Sequence, residues 1–229
     1  MAEKLTSAGL VKYAQSMAKT KTAYMWGGLM QPITANLIKI KANQYPKHYT
    51  SSRQRYLSSL IGLGYGCDCV GLIKSYWFGG INSPYYDNKK DVNTTGLYNL
   101  AIKKGKINNM PETPGLIVYM SGHVGVYLGN GKVIECTQSK YGDGVVETNL
   151  KGRGWTHWLV CPYIEYPAKN ETSTNDKYFI YTVKAGDTLW GLAKRYYGSG
   201  LKYPQIAKYN GIKSTSTLRV GQKLKIEVK

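Results

Sequence analysis

Two stretches decide the fold: Asp68-Cys69-Val70-Gly71-Leu72-Ile73-Lys74-Ser75-Tyr76-Trp77-Phe78-Gly79-Gly80 and Gly122-His123-Val124-Gly125-Val126-Tyr127-Leu128-Gly129. In the first, Leu72, Ile73, Tyr76 and Trp77 fall at helical spacing, Asp68 suits an N-cap, and the glycine pair ends the run. In the second the period is two, and Gly129-Asn130-Gly131 reads as a tight hairpin turn. Further strands are predicted at Leu116–Met120, Lys132–Cys136 and His157–Cys161. Towards the N-terminus, Thr6 or Ser7 can cap a helix with Leu10, Ala14 and Met17 on one face. Two short helices fit near Thr34–Lys41 and Ser51–Leu60, in a polar, aromatic-containing region between Gly28 and Gly66. Helices first and an antiparallel sheet after them make an α+β domain.

The composition changes near Tyr166, where Pro167 to Lys177 carries small polar residues without apolar periodicity and reads as a linker. The organisation expected is a domain over residues 1–165, a linker over 166–178 and a small domain over 179–229. Of 31 basic and 13 acidic side chains, residues 1–165 hold 19 and 9, and residues 178–229 hold 10 and 2. Charge density is therefore higher on the small domain, the better candidate for an anchor. A formal charge of +18 attracts polyanions, whether nucleic acid, an anionic wall polymer or a membrane surface; charge alone does not choose, and solubility is the plainer reading of the same lysines. No nucleic-acid-binding motif is present. Lys12 and Lys19 interrupt any signal-like run, and no apolar stretch approaches the roughly 20 residues of a membrane span. The expectation is a protein made in a cytosol without a signal peptide, its four cysteines reduced.

The scarcest residues frame the chemistry. A cysteine nucleophile needs a base, and the histidines are His48, His123 and His157. Cys69 opens the predicted helix, where backbone N–H groups and the helix dipole are expected to lower a thiol pKa. His123 opens a strand between glycines, and Glu135 on the next strand can accept its second ring N–H. Taken singly, a cysteine or a histidine is more often structural than catalytic. His48 is expected at the surface, His157 in a packed final strand, and Cys67 as a small apolar residue. A zinc site from Cys67, Cys69, Cys136 and His123 lacks the usual knuckle spacing and a second pair. No metal and no cofactor is called for.

Asp68-Cys69-Val70-Gly71-Leu72-Ile73 resembles the nucleophile motif of the NlpC-type cysteine peptidases, relatives of the CHAP amidase-peptidases. Gly122 to Cys136 resembles their histidine motif, and Tyr24-Met25-Trp26-Gly27-Gly28 the aromatic-Trp-Gly-Gly string that precedes the nucleophile. The resemblance implies a papain-like fold over most of residues 8–165, with Cys69 as nucleophile, His123 as base, Glu135 as third residue and Tyr24 beside the reacting carbonyl. Val70 departs from the usual Ser, and Glu135 from the common His, Asn or Gln. The gap from Gly28 to Asp68 is longer than usual and leaves room for a substrate-contacting lid.

In the small domain, Phe179–Lys184 reads as a strand, Asp187 as the cap of a following helix, Tyr203–Tyr209 as a second helix and Leu218–Ile226 as a closing strand. Leu189, Leu192, Ile206 and Leu224 form its expected core. The strings Tyr181-Thr182-Val183-Lys184-Ala185-Gly186-Asp187-Thr188-Leu189-Trp190, Asn210-Gly211-Ile212 and Leu218-Arg219-Val220-Gly221-Gln222-Lys223-Leu224 resemble a βααβ LysM module along its whole length. That resemblance implies glycan binding through two loops, at Gly186, Asp187, Thr188, Leu189, Asn210, Gly211 and Ile212.

Together the two resemblances imply a peptidoglycan hydrolase of the phage-endolysin kind, cutting a stem-peptide or sugar–peptide amide through a thioester. Its partner would be N-acetylglucosamine-containing glycan with its stem peptide, with anionic wall polymers as a candidate second partner. Its expected location is the host cytoplasm and then the bacterial wall. The alternatives are a wall-binding protein with an inactive peptidase domain, and a thioester acyltransferase.

Overall fold

The computed structural model describes residues 5–166, 178–213 and 217–227, which fall into two compact units, Met1–Pro167 and Ala168–Lys229. The expected linker, residues 166–178, falls almost wholly on positions outside the described residues. No described helix is long and apolar enough to cross a membrane.

The first unit opens with α1 (Ser7–Ala18), capped by the Thr6 side chain on the N–H of Gly9 and burying Leu10, Ala14 and Met17. Strands β1 (Thr22–Tyr24), β2 (Gln31–Pro32) and β3 (Tyr65–Cys67) form a small sheet in the order β1-β3-β2. Between β2 and β3 lie the two expected short helices, α2 (Ala35–Gln44, capped by Thr34) and α3 (Ser51–Ser58, capped by Thr50). They pack over a separate apolar cluster that includes Ile33, Ile38, Tyr49 and Leu57. The central helix α4 (Cys69–Trp77) follows β3 directly. It is buried along nearly its whole length, as expected of a helix whose apolar residues encircle it.

After α5 (Thr94–Leu100) comes a six-stranded antiparallel sheet. Its strands are β4 (Lys103–Lys106), β5 (Ile117–Met120), β6 (His123–Gly129), β7 (Lys132–Ser139), β8 (Gly142–Asn149) and β9 (His157–Val160), in the order β4-β9-β5-β6-β7-β8. The β6–β7 turn has Asn130 at φ 51° and Gly131 at φ 70°, the left-handed pair that a two-residue hairpin demands. The α4 helix packs on β6 and β7, and Ile73, Val126 and Ile134 are among the buried residues of that core.

The sequence reading misses β8, because Gly142-Asp143-Gly144 and Glu147-Thr148-Asn149 leave only Val145 and Val146 as an apolar signal. The strand forms through pairing along the whole of β7, Lys132 opposite Asn149 through Ser139 opposite Gly142. The short β1, β2, β3 and β4, and α5, are likewise below what periodicity resolves.

The second unit is β10 (Tyr178–Thr182), α6 (Leu189–Tyr197), α7 (Tyr203–Tyr209) and β11 (Lys223–Glu227), with β10 antiparallel to β11. Leu189, Leu192, Ile206 and Leu224 are all buried in its core. One expectation is corrected: the cap of α6 is Thr188, whose side chain accepts the N–H of Gly191. Asp187 turns away from the helix. Its Oδ2 accepts the Lys184 N–H and the Tyr181 hydroxyl, each at 2.7 Å, and so closes the preceding turn.

Candidate active site

Asp68 ties the two N-terminal motifs together. As the cap of α4 it accepts the Gly71 N–H at 2.6 Å through Oδ1, and through Oδ2 it accepts the Gly27 N–H at 2.9 Å. The motif glycines have a steric reason beside this electrostatic one. A Cβ on Gly71 would lie 1.9 Å from the Gly28 carbonyl oxygen, so the helix start and the Trp-Gly-Gly string touch backbone to backbone. This contact sets Tyr24 and Trp26 on the same cleft as Cys69, a cleft of about 740 Å³.

Cys69 is 4% exposed, at the first turn of α4. Its thiol faces the carbonyl of Gly122 at 4.0 Å. The N–H groups of Val124 and Val70 also favour its thiolate. Gly122 and Val124 are the neighbours of His123 in the chain, so the helix delivers its sulfur to the strand position that carries the imidazole. The expectation of a lowered thiol pKa is overturned. Burial, reinforced by Asp68, pushes Cys69 up to about 12, and the N–H groups do not offset the lost hydration. At rest Cys69 is therefore a thiol, and ionising it near neutral pH requires a base.

The imidazole of His123 is held from behind. The Nε2 of His123 meets Glu135 Oε2 at 2.6 Å, leaving Nδ1 as the ring nitrogen not engaged by Glu135. Trp155 stacks on the imidazole, with centroids 5.5 Å apart and planes 12° from parallel. Glu135 has no exposed surface. Burial alone would raise its pKa; hydrogen bonds from His123, Arg153 and Thr148 reverse that and hold it down at about 2. Arg153 donates through Nε to Oε1 at 2.9 Å and through Nη2 to Oε2 at 2.7 Å, a two-pronged grip, and the Thr148 hydroxyl donates to Oε1 at 2.6 Å.

Tyr24 also lines the cleft, and its hydroxyl stays protonated because burial, with Cys69 and Asp68 nearby, drives its pKa upward. It is therefore a hydrogen-bond donor. Its backbone is fixed by Arg53 of α3, whose guanidinium bonds the Tyr24 carbonyl and both oxygens of Asp143, while Asp143 Oδ1 accepts the Tyr24 N–H at 2.9 Å. The insertion between Gly28 and Asp68 is thus a built wall of the site. It adds Lys41 and Tyr45 to the cleft, and His48 stacks on Trp26 at 3.7 Å. His48 is exposed at this rim, and His157 lies in β9 beside Tyr98 and Tyr119.

The chain matches the NlpC/P60 family over residues 21–163. It belongs to that family. A LysM domain matches residues 181–227. An uncharacterised protein of Deinococcus radiodurans is 47% identical over 47 residues, which are 20% of this chain and 19% of that protein. A probable N-acetylmuramidase of Lactococcus lactis subsp. cremoris is 52% identical over 44 residues, 19% of this chain and 9% of the other. The matches span less than a fifth of these relatives' lengths. Among solved structures, the peptidoglycan hydrolase RipB of Mycobacterium tuberculosis is 21% identical, with 70% of this chain and 67% of that one covered and a TM-score of 0.42.

Of the four residues expected from the sequence, Tyr24 and Cys69 line the cleft of this NlpC/P60 unit, while His123 and Glu135 lie on β6 and β7 and meet each other there. The residues that sequence reading missed are the supports: Arg153, Thr148, Trp155, Arg53 and Asp143. Arg153 sits in Gly152-Arg153-Gly154, which reads as an ordinary surface turn, and only a predicted β8 would have pointed to Thr148.

In the LysM unit the seven expected residues divide by role. Gly186 at φ 84° and Gly211 at φ 61° take turn conformations that a side chain resists, and Leu189 is a buried core residue. Asn210 joins α7 to β11: its Nδ2 donates to the carbonyls of Ile206 at 2.7 Å and Lys225 at 2.8 Å, and its Oδ1 accepts the Lys225 N–H at 2.6 Å. Ile212 packs partly buried against the core of the unit.

Proposed function

We propose that this protein is a peptidoglycan hydrolase that cleaves an amide of the stem peptide or of the sugar–peptide junction through a Cys69 thioester. The observation that carries the reading is the buried His123–Glu135 contact at 2.6 Å, on a strand whose backbone at Gly122 and Val124 meets the Cys69 thiol. In this mechanism His123 takes the thiol proton at Nδ1 as sulfur attacks the amide carbonyl. The Cys69 N–H and the protonated Tyr24 hydroxyl donate to the oxyanion. Collapse breaks the C–N bond, and His123 returns the proton to the leaving amine. Water, deprotonated by the same ring, then attacks the thioester and releases a carboxylate and the thiol. The Glu135 carboxylate stabilises the imidazolium formed in each half and keeps its tautomer.

The LysM loops at 186–189 and 210–212 hold the enzyme on N-acetylglucosamine-containing glycan, and the net charge of +18 supports retention on anionic wall polymers. The proposed setting is endolysin-like, release from a host cytoplasm onto the wall; lysis of intact Gram-positive cells by added protein would support it.

The test is mass-spectrometric muropeptide analysis of Gram-positive sacculi treated with wild type or Cys69→Ala. New fragments from wild type alone support the hydrolase and identify the bond from the termini exposed. Sacculi left intact by both proteins, with protein bound, leave a wall binder and overturn the catalytic reading.

A further inference from the structure

The cleft over Cys69 holds two acidic and two basic side chains, and among the described residues one of the two cations lacks a close counter-ion. Four ionisable side chains other than the tyrosines and Cys69 line it: Asp68, Lys74, Asp91 and Lys41. Three are engaged inside the protein. The Asp68 carboxylate is taken up by the N–H groups of Gly27 and Gly71. Lys74, 8% exposed on α4, is paired with Asp91, whose other oxygen accepts the Tyr86 hydroxyl at 2.8 Å. Lys41 differs. It projects from α2 of the insertion and is only partly exposed, and among the described residues no carboxylate lies within 4 Å of its ammonium. Among the described residues its close partner is the Tyr45 ring, 5.8 Å from the nitrogen to the centroid.

A half-buried ammonium gives up hydration, which an anionic partner replaces most strongly, and here burial pulls the Lys41 pKa down despite Asp68 and Asp91 nearby. A lysine merely kept for solubility gains nothing from lining the wall of the cleft that holds the nucleophile. A carboxylate entering with the substrate would be such a partner, and a stem peptide is rich in carboxylates that some walls leave free and others convert to amides.

We propose that Lys41 is a specificity residue that recognises a free carboxylate of the bound peptide, so that the inserted α2 selects unamidated stem peptides. This rests on the hydrolase reading for the identity of the peptide, and binding and turnover are measured apart so that the two can fail separately. The full-length Cys69→Ala protein is titrated calorimetrically with a synthetic stem peptide whose α-carboxyls are free, and with the same peptide carrying primary amides there. The expected result is roughly tenfold tighter binding of the carboxylate peptide, as one charged hydrogen bond supplies. That preference should vanish in Cys69→Ala/Lys41→Met, which keeps the aliphatic stem, and survive in part in Cys69→Ala/Lys41→Arg. Equal binding of the two peptides, no binding of either, or a preference that persists in the Met variant overturns the proposal. Turnover of the carboxylate peptide by wild type is followed separately. If turnover is absent while the Lys41-dependent preference is intact, the hydrolase reading falls and the carboxylate site stands.

Discussion

Glu135 and Asp187 are both carboxylates at the centre of a candidate site, and both are held below their ordinary pKa, yet the two regions are built on opposite plans. Glu135 is sealed from water, and its depression is the net of a burial penalty and hydrogen bonds from His123, Arg153 and Thr148. Asp187 is solvated, and the Lys184 N–H followed by the Tyr181 hydroxyl is what lowers it. Removing the first strands a largely buried guanidinium and frees the His123 ring; removing the second leaves donors that water can satisfy. The NlpC/P60 unit therefore builds its candidate site from side chains that depend on one another, whereas the candidate loops of the LysM unit are turns held by bonds open to water.

The largest effect that tests this contrast is expected from Glu135→Ala. Turnover should fall by about 10³-fold or more, since the base loses its orienting partner, and stability by about 3–5 kcal/mol, since Arg153 stays buried unpaired. Near-normal kcat in a folded variant would break the idea of an interdependent site. Next is the nucleophile in the absence of substrate. With its thiol near 12, the alkylation rate of Cys69 should climb roughly tenfold per pH unit from pH 7 to 10. A plateau near pH 8 would mean that burial does not control the group.

On the other side of the comparison, Leu192→Ala in the small core should cost about 2–5 kcal/mol, enough to unfold a module of this size. Retention on sacculi should be lost while hydrolysis of a soluble stem peptide is unchanged. Loss of both activities together would erase the division of labour.

Acid sharpens the same contrast. Glu135 falls from an ordinary 4.5 to about 2 on folding, so its contribution to stability is present above pH 4.5 and is lost as pH falls through about 2. That difference corresponds to about 3 kcal/mol, seen as a steeper acid limb in wild type than in Glu135→Gln. Equal limbs would remove the network from the stability of the unit. The smallest effect is expected from Asn210→Ala, about 1 kcal/mol by calorimetry, because its three bonds to Ile206 and Lys225 are only partly shielded from water. A cost as large as that of Leu192→Ala would show a LysM loop as interdependent as the Glu135 network.

How much of this was legible in advance follows from where the physical signals lie. The caps at Thr6 and Asp68, the helical face of α1, the Asn130-Gly131 turn and the alternation in β5 to β7 are local, so the chain states them within a few residues. Pairing His123 with Glu135 was only half legible: the Asn130-Gly131 turn names the hairpin, but a register shift between Tyr127 and Gly129 is what brings Glu135 onto the face of His123. The order of β10, α6, α7 and β11, and the core of Leu189, Leu192, Ile206 and Leu224, were equally local. By itself, then, the sequence determined the α+β class, the two kinds of unit, the three motifs and the identity of the candidate nucleophile and base. Only the tertiary structure decided how those groups behave. Whether Cys69 is a thiol or a thiolate depends on hydration lost to packing, which no dipole argument at a helix start contains. The grip of Arg153 and Thr148 on Glu135, and of Arg53 on Tyr24 and Asp143, joins residues 13 to 90 positions apart. Such contacts are set by which strands become neighbours, and local propensity carries no record of that choice.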